Sequence, residues 1–397
     1  MKLATRTALI EPFHAMEFGK RAAALQAQGR DIVRLSIGEP DFPVPPLVVE
    51  AMRDACAVGR TPYTAALGLP ALREAIAAWQ SDAFGADVDA SRVIVTAGAS
   101  AALLLVAAAL VEPGDEVLVG DPSYPCNRRF VEGFGGRARL VPTTVAGRFQ
   151  LTAACVEAAW GESTRGAMIA TPSNPTGTSV PLDALEAMCT AIAERGGWAL
   201  VDEIYLPLSY GPPSDGTDEA CAPRSILSRV PSAITVGSFS KYWAMPGWRL
   251  GWAIVPETLV PVIERLAQNF YICPSAPTQY AALACFASET LDECERRRQR
   301  LAARRQRVLA GLASAGYHVP VAPDGAFYVW IDAGALGIDS ATLAGRLLDE
   351  AGVALTPGLD FGPAGARDFL RLSYAADEAD LDRAIEAMAA FRARLGG

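Results

Sequence analysis

Residues 232–252 read Ser-Ala-Ile-Thr-Val-Gly-Ser-Phe-Ser-Lys-Tyr-Trp-Ala-Met-Pro-Gly-Trp-Arg-Leu-Gly-Trp. The apolar, β-branched run from Ala233 to Val236 predicts a buried strand. It ends at Gly237 and delivers Ser238, Phe239, Ser240 and Lys241 to the edge of a packed interior. Burial disfavours the charged form of a lysine and lowers its pKa. The neutral amine can then attack a carbonyl and form a Schiff base. Eight residues on, Arg249 opens a second apolar run, Leu250 to Val255. Two hydroxyls (Ser238, Ser240) and a guanidinium around one lysine suit a phosphate group. A solvated lysine in a surface turn fits this stretch equally well, so the rest of the chain has to decide.

Strands and helices alternate upstream of it. Arg92 to Thr96, Val117 to Val119, Ala138 to Val141, Ala167 to Ala170 and Trp198 to Val201 predict strands. Ala97-Gly98-Ala99-Ser100 opens an alanine-rich helix. Its first N–H groups and positive dipole end suit an anion, although any capped helix start looks similar. Asp121-Pro122-Ser123-Tyr124-Pro125 follows one strand, and Thr171-Pro172-Ser173-Asn174-Pro175-Thr176-Gly177 follows another. Asp202-Glu203-Ile204-Tyr205 ends a third, where a buried aspartate is costly unless it is paired. The expected fold is therefore α/β, a mainly parallel sheet with helices on both faces. Such sheets bind ligands at the carboxyl ends of their strands. Ala97-Gly98, Asn174, Asp202 and Lys241 all follow predicted strands, and one shared site explains this better than four accidents.

The flanks read as helices and a second, smaller α/β unit. Residues 12–29 predict a helix stopping at Gly29, Ile32 to Ile37 a strand, and Gly38 to Pro43 a turn. Helices follow from Val48 to Gly59 and from Pro70. Residues 211–224, rich in Gly, Pro, Asp and Ser, predict a surface loop. Pro256 to Gln268 and Pro277 to Ala287 predict helices. Leu291 to Leu312 predicts a long helix whose arginines form a solvated face or an interdomain strut. Phe327 to Ile331 and Phe369 to Ser373 predict strands around a helix from Ser340 to Ala351. The expected division is an arm with part of a small domain (1–45), a large domain (46–288) and a small C-terminal domain (289–397).

A chain of 397 residues suggests two domains. Its net charge is −9, from 35 basic and 44 acidic residues, which argues against nucleic acid or an anionic membrane as partner. The eight cysteines form no Cys-x-x-Cys pair, and there are only two histidines, His14 and His318. This composition predicts neither a disulfide framework nor a metal site, but buried thiols in a reducing, cytoplasmic setting. The N-terminus lacks the apolar core of a signal peptide. The longest apolar run, Ala101 to Val111, is short of a membrane span.

Ser238-Phe239-Ser240-Lys241 followed by Pro246-Gly247-Trp248-Arg249-Leu250-Gly251 resembles the cofactor-lysine motif of class I aminotransferases, pyridoxal 5′-phosphate (PLP) enzymes of the aspartate aminotransferase fold type. Further motifs stand in the family's order. They are Tyr63-x-x-x-x-Gly68-x-x-x-Leu72-Arg73, Asn174-Pro175-Thr176-Gly177, and Pro357-Gly358-x-x-Phe361-Gly362 followed by Leu370-Arg371-Leu372-Ser373. The resemblance covers nearly the whole chain. It implies that Lys241 carries PLP and moves a proton at the substrate Cα. It implies that Asp202 keeps the pyridine nitrogen protonated, that Tyr205 and Asn174 reach the phenolate oxygen, and that Tyr124 stacks on the ring. Ser100, Ser238, Arg249 and the N–H groups near Ala99 would hold the phosphate, with Ser240 a further contact. Tyr63 would reach the neighbouring subunit's cofactor in a homodimer. Arg371 would grip the substrate α-carboxylate, with Gly38 and Asn174 beside it.

The reaction implied is ping-pong transfer of an amino group from an L-amino acid to a 2-oxo acid. A PLP-dependent carbon–sulfur β-lyase uses the same cofactor residues. A non-enzymatic PLP-binding regulator needs a DNA-binding segment, and the stretch before Gly38 is short and not basic. The expected donor is neutral or aromatic. Phe13, Met16 and Phe18 supply apolar surface near the site, whereas the basic candidates in the arm are only His14, Lys20 and Arg21.

Overall fold

The computed structural model describes residues 1–4, 7, 10, 14–211 and 223–395. The predicted loop at 211–224 lies almost wholly outside the described residues, as do Phe13 and Cys221. A seven-stranded sheet forms the centre of the molecule. Its spatial order is Val93–Thr96, Gly251–Ile254, Ile234–Ser238, Trp198–Asp202, Thr164–Ala170, Glu116–Asp121, Arg137–Pro142. Gly251–Ile254 runs antiparallel to both of its neighbours, and every other pairing is parallel.

The strands are apolar throughout because both faces are covered. Alternation sends Val117 and Val119 into one hydrophobic cluster and Leu118 into the other. Met168 and Leu200 point one way, while Ala167, Ile169, Ala199 and Val201 point the other. Helix Ala99–Leu110 covers one face with Leu103 and Val106. Helices Pro70–Phe84 and Leu182–Ala193 cover the opposite face with Leu72, Ile76, Leu185 and Met188.

Gly237 does not end its strand, which continues to Ser238. The indole of Trp252, its partner across the antiparallel pair, lies where a side chain would go. A Cβ on Gly237 would sit 2.2 Å from Trp252 Cε2, so the glycine there answers to packing.

A second core gathers the C-terminal elements and the first strand. Thr356–Pro357, Phe369–Ser373 and Tyr328–Asp332 form an antiparallel sheet. Val33–Arg34 pairs in parallel with Val353–Ala354. Only those two residues of the predicted strand from Ile32 to Ile37 form a ladder. The chain nevertheless stays extended, since Leu35 N donates to Ala354 O at 2.9 Å. Helices Ser288–Ser314, Ser340–Ala351 and Glu378–Leu395 complete this unit.

Two expectations change. The long helix buries Arg297, Arg304 and Arg305, so its stripe is not simply solvated. Of the described cysteines only Cys189, Cys285 and Cys294 are buried, whereas Cys56 is exposed. Among the described residues, no helix is long and apolar enough to cross a membrane.

Candidate active site

The sheet's direction decides where the functional groups meet. Val93–Thr96 and the five strands from Ile234–Ser238 to Arg137–Pro142 all point the same way, so their carboxyl ends share one edge. The antiparallel strand Gly251–Ile254 starts at that edge, which brings Arg249 to it. A cavity of about 620 Å³ opens there. Lys241, Asp202, Tyr205, Asn174, Tyr124, Ala99, Ser100, Ser238, Ser240, Arg249, Gly38 and Arg371 all line it. Tyr63 does not, and it is 78% exposed. A larger cavity of about 1020 Å³, beside Trp79 and Tyr242, contains none of these strand-end groups.

Lys241 lies three residues past its strand. Its Nζ donates to Gly38 O at 2.7 Å and stands 5.9 Å from the Tyr205 ring centroid. Burial lowers its pKa to about 8, opposed by Glu39 and reinforced by Arg371 and Arg249. Asp202 is the last residue of its strand and is 6% exposed. Burial raises its pKa to about 6, and the Ile204 N–H, at 3.0 Å from Oδ1, together with Lys241 opposes this. Among the described residues it forms no ion pair. A buried carboxylate of this kind asks for a cationic partner in the cavity.

One end of the cavity suits a phosphate. Helix Ala99–Leu110 has no side-chain cap and no acidic residue in its first turn. Gly98, with φ 85°, precedes it, and a Cβ there would lie 2.5 Å from Arg249 Nη2. Arg249 itself adopts φ 53° and is anchored by its Nη1 donating to Pro246 O at 2.9 Å. Buried Ser238 accepts from Ser240 N at 3.1 Å. Free N–H groups, a guanidinium and hydroxyls therefore converge on one spot.

The other end suits a carboxylate. Arg371 is 2% exposed, above the rings of Tyr328 (4.6 Å) and Phe361 (4.9 Å). Its Nη1 donates to Asn174 Oδ1 at 2.8 Å, and its Nη2 donates to Ser36 O at 2.7 Å. Its Nε has no partner among the described residues. Tyr205 and Tyr328 share a hydrogen bond of 2.8 Å between their hydroxyls, and burial raises both phenol pKa values. Tyr124 starts helix Pro125–Gly133, with its phenol also pushed up by burial.

Sequence reasoning missed Tyr328, Ser36, Glu39 and Arg34, which also line or support this cavity. Tyr328 lay in an apolar strand and read as core. Its closeness to Gly38, where a Cβ would meet the Tyr328 hydroxyl at 2.5 Å, appears only in three dimensions. The arm differs from expectation as well. Met16 and Lys20 line the cavity, but Phe18 packs into the core. Arg21 pairs with Asp349 at 2.6 Å, and His14 contributes its backbone N–H to Asp360 at 2.9 Å.

Comparison with known proteins agrees with this geometry. The family profile "Aminotransferase class I and II" matches residues 30–388. The chain is 36% identical to a valine–pyruvate aminotransferase of Mycobacterium tuberculosis, over 95% of each chain. It superposes on the crystal structure of an aminotransferase from Mycobacterium tuberculosis with a TM-score of 0.92 at 35% identity, covering 98% of this chain and 99% of that one. It superposes on an aspartate aminotransferase from Thermus thermophilus with a TM-score of 0.91 at 33% identity, again covering 98% and 99%. The paired arginine and lysine ends of one cavity, on this sheet and with these relatives, place the chain in the class I and II aminotransferase family as a transaminase.

Proposed function

We propose that the protein moves the amino group of a neutral or aromatic L-amino acid to a 2-oxo acid, in two half-reactions, with PLP held at Lys241. One observation carries this reading. A single cavity joins a lysine of lowered pKa, a buried carboxylate with no ion pair among the described residues, an uncapped helix start and a buried arginine.

PLP, when bound, supplies an electron sink for a carbanion at the substrate Cα. The chain supplies the rest. Ser100, Ser238, Ser240, Arg249 and the Ala99 N–H would hold the phosphate. Asp202 would face the protonated ring nitrogen, Tyr124 the ring, and Tyr205 and Asn174 the phenolate oxygen. Asn174 can serve here because only its Oδ1 is engaged by Arg371, which leaves its amide N–H₂ to donate. Arg371 holds the α-carboxylate in a two-point grip that lysine cannot reproduce. Burial lowers the Lys241 pKa to about 8, so more of the amine is neutral near neutral pH than for an ordinary lysine. That amine would take the proton from the substrate Cα and hold it for return.

Ile37, Leu103 and Met16 give the cavity an apolar wall, which supports a neutral donor. In this reading residues 46–288 carry the cofactor, while residues 1–45 and 289–397 bring Gly38 and Arg371 to it. A homodimer fits the exposed Tyr63. Leu47 and Val58, in and just after helix Pro46–Ala57, and Phe270 and Ile272, at and just after the end of helix Val260–Phe270, are exposed apolar residues. The test is a panel of single amino acids against PLP-loaded protein, following loss of cofactor absorbance and then amino transfer to a 2-oxo acid. Release of pyruvate and ammonia without transfer would point to elimination instead.

A further inference from the structure

We propose that Tyr328 is a positioning residue: its hydroxyl, lodged against Gly38, donates to the Tyr205 hydroxyl and so turns the Tyr205 proton toward the cofactor's phenolate oxygen. The proposal rests on the reading of Lys241 and Tyr205 given above. Tyr328 lines the same cavity and is fully buried. Its hydroxyl lies 2.8 Å from that of Tyr205. Among the described residues, neither hydroxyl has another hydrogen-bond partner.

Proton counting sets the direction. Burial raises both phenol pKa values, so both hydroxyls keep their protons near neutral pH. Their shared hydrogen bond uses one of the two protons. If Tyr205 donated it, Tyr205 would have none left for the cofactor. Donation by Tyr328 leaves the Tyr205 proton free to point into the cavity. Arg371 favours that order. Its guanidinium lies 4.6 Å from the Tyr328 ring centroid and opposes the effect of burial there, which makes the Tyr328 O–H a stronger donor. Glu39 acts on Tyr328, and Asp202 on Tyr205, to keep each proton in place. A hydroxyl that accepts a hydrogen bond is itself polarised into a better donor. The Tyr328 bond therefore strengthens the one that Tyr205 would make.

The chain holds Tyr328 in this place from several sides. Gly177 O, in the loop that carries Asn174, accepts from Asp324 N and Gly325 N, both at 2.9 Å. Tyr210 N, downstream of Tyr205, donates to Asp324 O at 2.8 Å. The Tyr205 ring packs edge-on against Phe327 and Tyr328, with centroids 5.5 and 5.7 Å apart. The segment leading into Tyr328 is thus fastened to the two stretches that would meet the phenolate oxygen. Gly38 closes the remaining side. A Cβ there would fall 2.5 Å from the Tyr328 hydroxyl, whereas the next atoms, in the Tyr328 ring, lie at ordinary contact distances of 3.6 and 3.8 Å. Among the described residues, only that hydroxyl stands in the way of a side chain at position 38.

The test follows the visible absorbance of the PLP-loaded protein against pH. A donor on the phenolate oxygen stabilises its negative charge, so losing or weakening that donor raises the pKa at which the band changes. Tyr205→Phe should raise it by roughly one to two units. Tyr328→Phe keeps the ring and removes only the hydroxyl, and it should raise the pKa by roughly 0.3 unit. Added to Tyr205→Phe, the change Tyr328→Phe should have no further effect, because the phenol it acts through is gone. Gly38→Ala should shift the pKa in the same direction and lower the thermal midpoint. With Tyr328→Phe already in place, it should do neither. No shift in Tyr328→Phe, or an undiminished shift in the Tyr205→Phe background, overturns the proposal. Equal damage from Gly38→Ala with and without the Tyr328 hydroxyl overturns the placement against Gly38. A wild-type visible band that does not depend on Lys241 overturns instead the cofactor reading on which the proposal stands.

Discussion

An amine that acts as a base near neutral pH has to be kept partly out of water, and Lys241 is. Its neighbours Arg371 and Arg249 push its pKa in the same direction as burial does. The neutral form gains population as pH rises through about 8. Covalent attachment of PLP to cofactor-free protein should therefore accelerate from pH 6 to pH 9 and level off above it. The same shift means that the unfolded chain binds more protons between about 8 and 10.5, so cofactor-free stability should gain from Lys241 as pH rises there. A flat attachment rate over this range would show that the amine is not the titrating nucleophile. Asp202 makes the opposite case: burial raises its pKa to about 6, and in the proposed site it would hold a cation. Asp202→Ala should lose orders of magnitude in kcat, and Asp202→Glu less. Near-normal turnover by Asp202→Ala would show that another residue holds the ring nitrogen.

At the scale of elements, the helix Ser288–Ser314 does more than cover a core. Arg297, Arg300 and Arg304 share one face and stack over the Phe42 ring at 5.4, 5.3 and 5.3 Å. Arg304 pairs with Asp41 at 2.9 Å, and Arg297 donates to Pro43 O at 2.6 Å. The stripe clamps the turn that follows Gly38 and so holds one wall of the cavity. Arg304→Ala should cost roughly 2–3 kcal/mol, because it leaves Asp41 unpaired beside a void. It should also raise KM more than it lowers kcat. Denaturant titration showing less than about 0.5 kcal/mol would mean that the clamp is ornamental.

This helix also shows where the sequence stops being legible. Strand ends could be read locally, since an apolar run followed by a turn marks them, and so Asn174, Asp202 and Lys241 could be placed on one edge. Arg371 and Tyr63 carry no such local mark and rested on family resemblance. Arg297 and Arg304 depend on a turn 254 to 263 positions earlier in the chain, and Arg305 on Gly211 O and Pro323 O. The burial of Gly237 depends on the Trp252 ring. Long-range packing decides each of these, and periodicity carries no record of it.

For the whole molecule, the central question is whether one chain holds a complete site. Every proposed contact except Tyr63 lies in a single cavity. In the proposed dimer each site would borrow one tyrosine across a two-fold axis. Sedimentation should show a dimer at working concentration. Tyr63→Phe should weaken PLP binding without dissociating it. A fully active monomer would contradict the shared site.

The chain has only three lysines, Lys2, Lys20 and Lys241, which makes one measurement unusually direct. The PLP-loaded protein is reduced with borohydride, digested and mapped by mass spectrometry. The expected result is one stoichiometric label on the peptide containing Lys241 and no activity in the reduced protein. A label on Lys2 or Lys20 instead, or activity that survives complete labelling, would contradict the placement of the cofactor at the end of the Ile234–Ser238 strand.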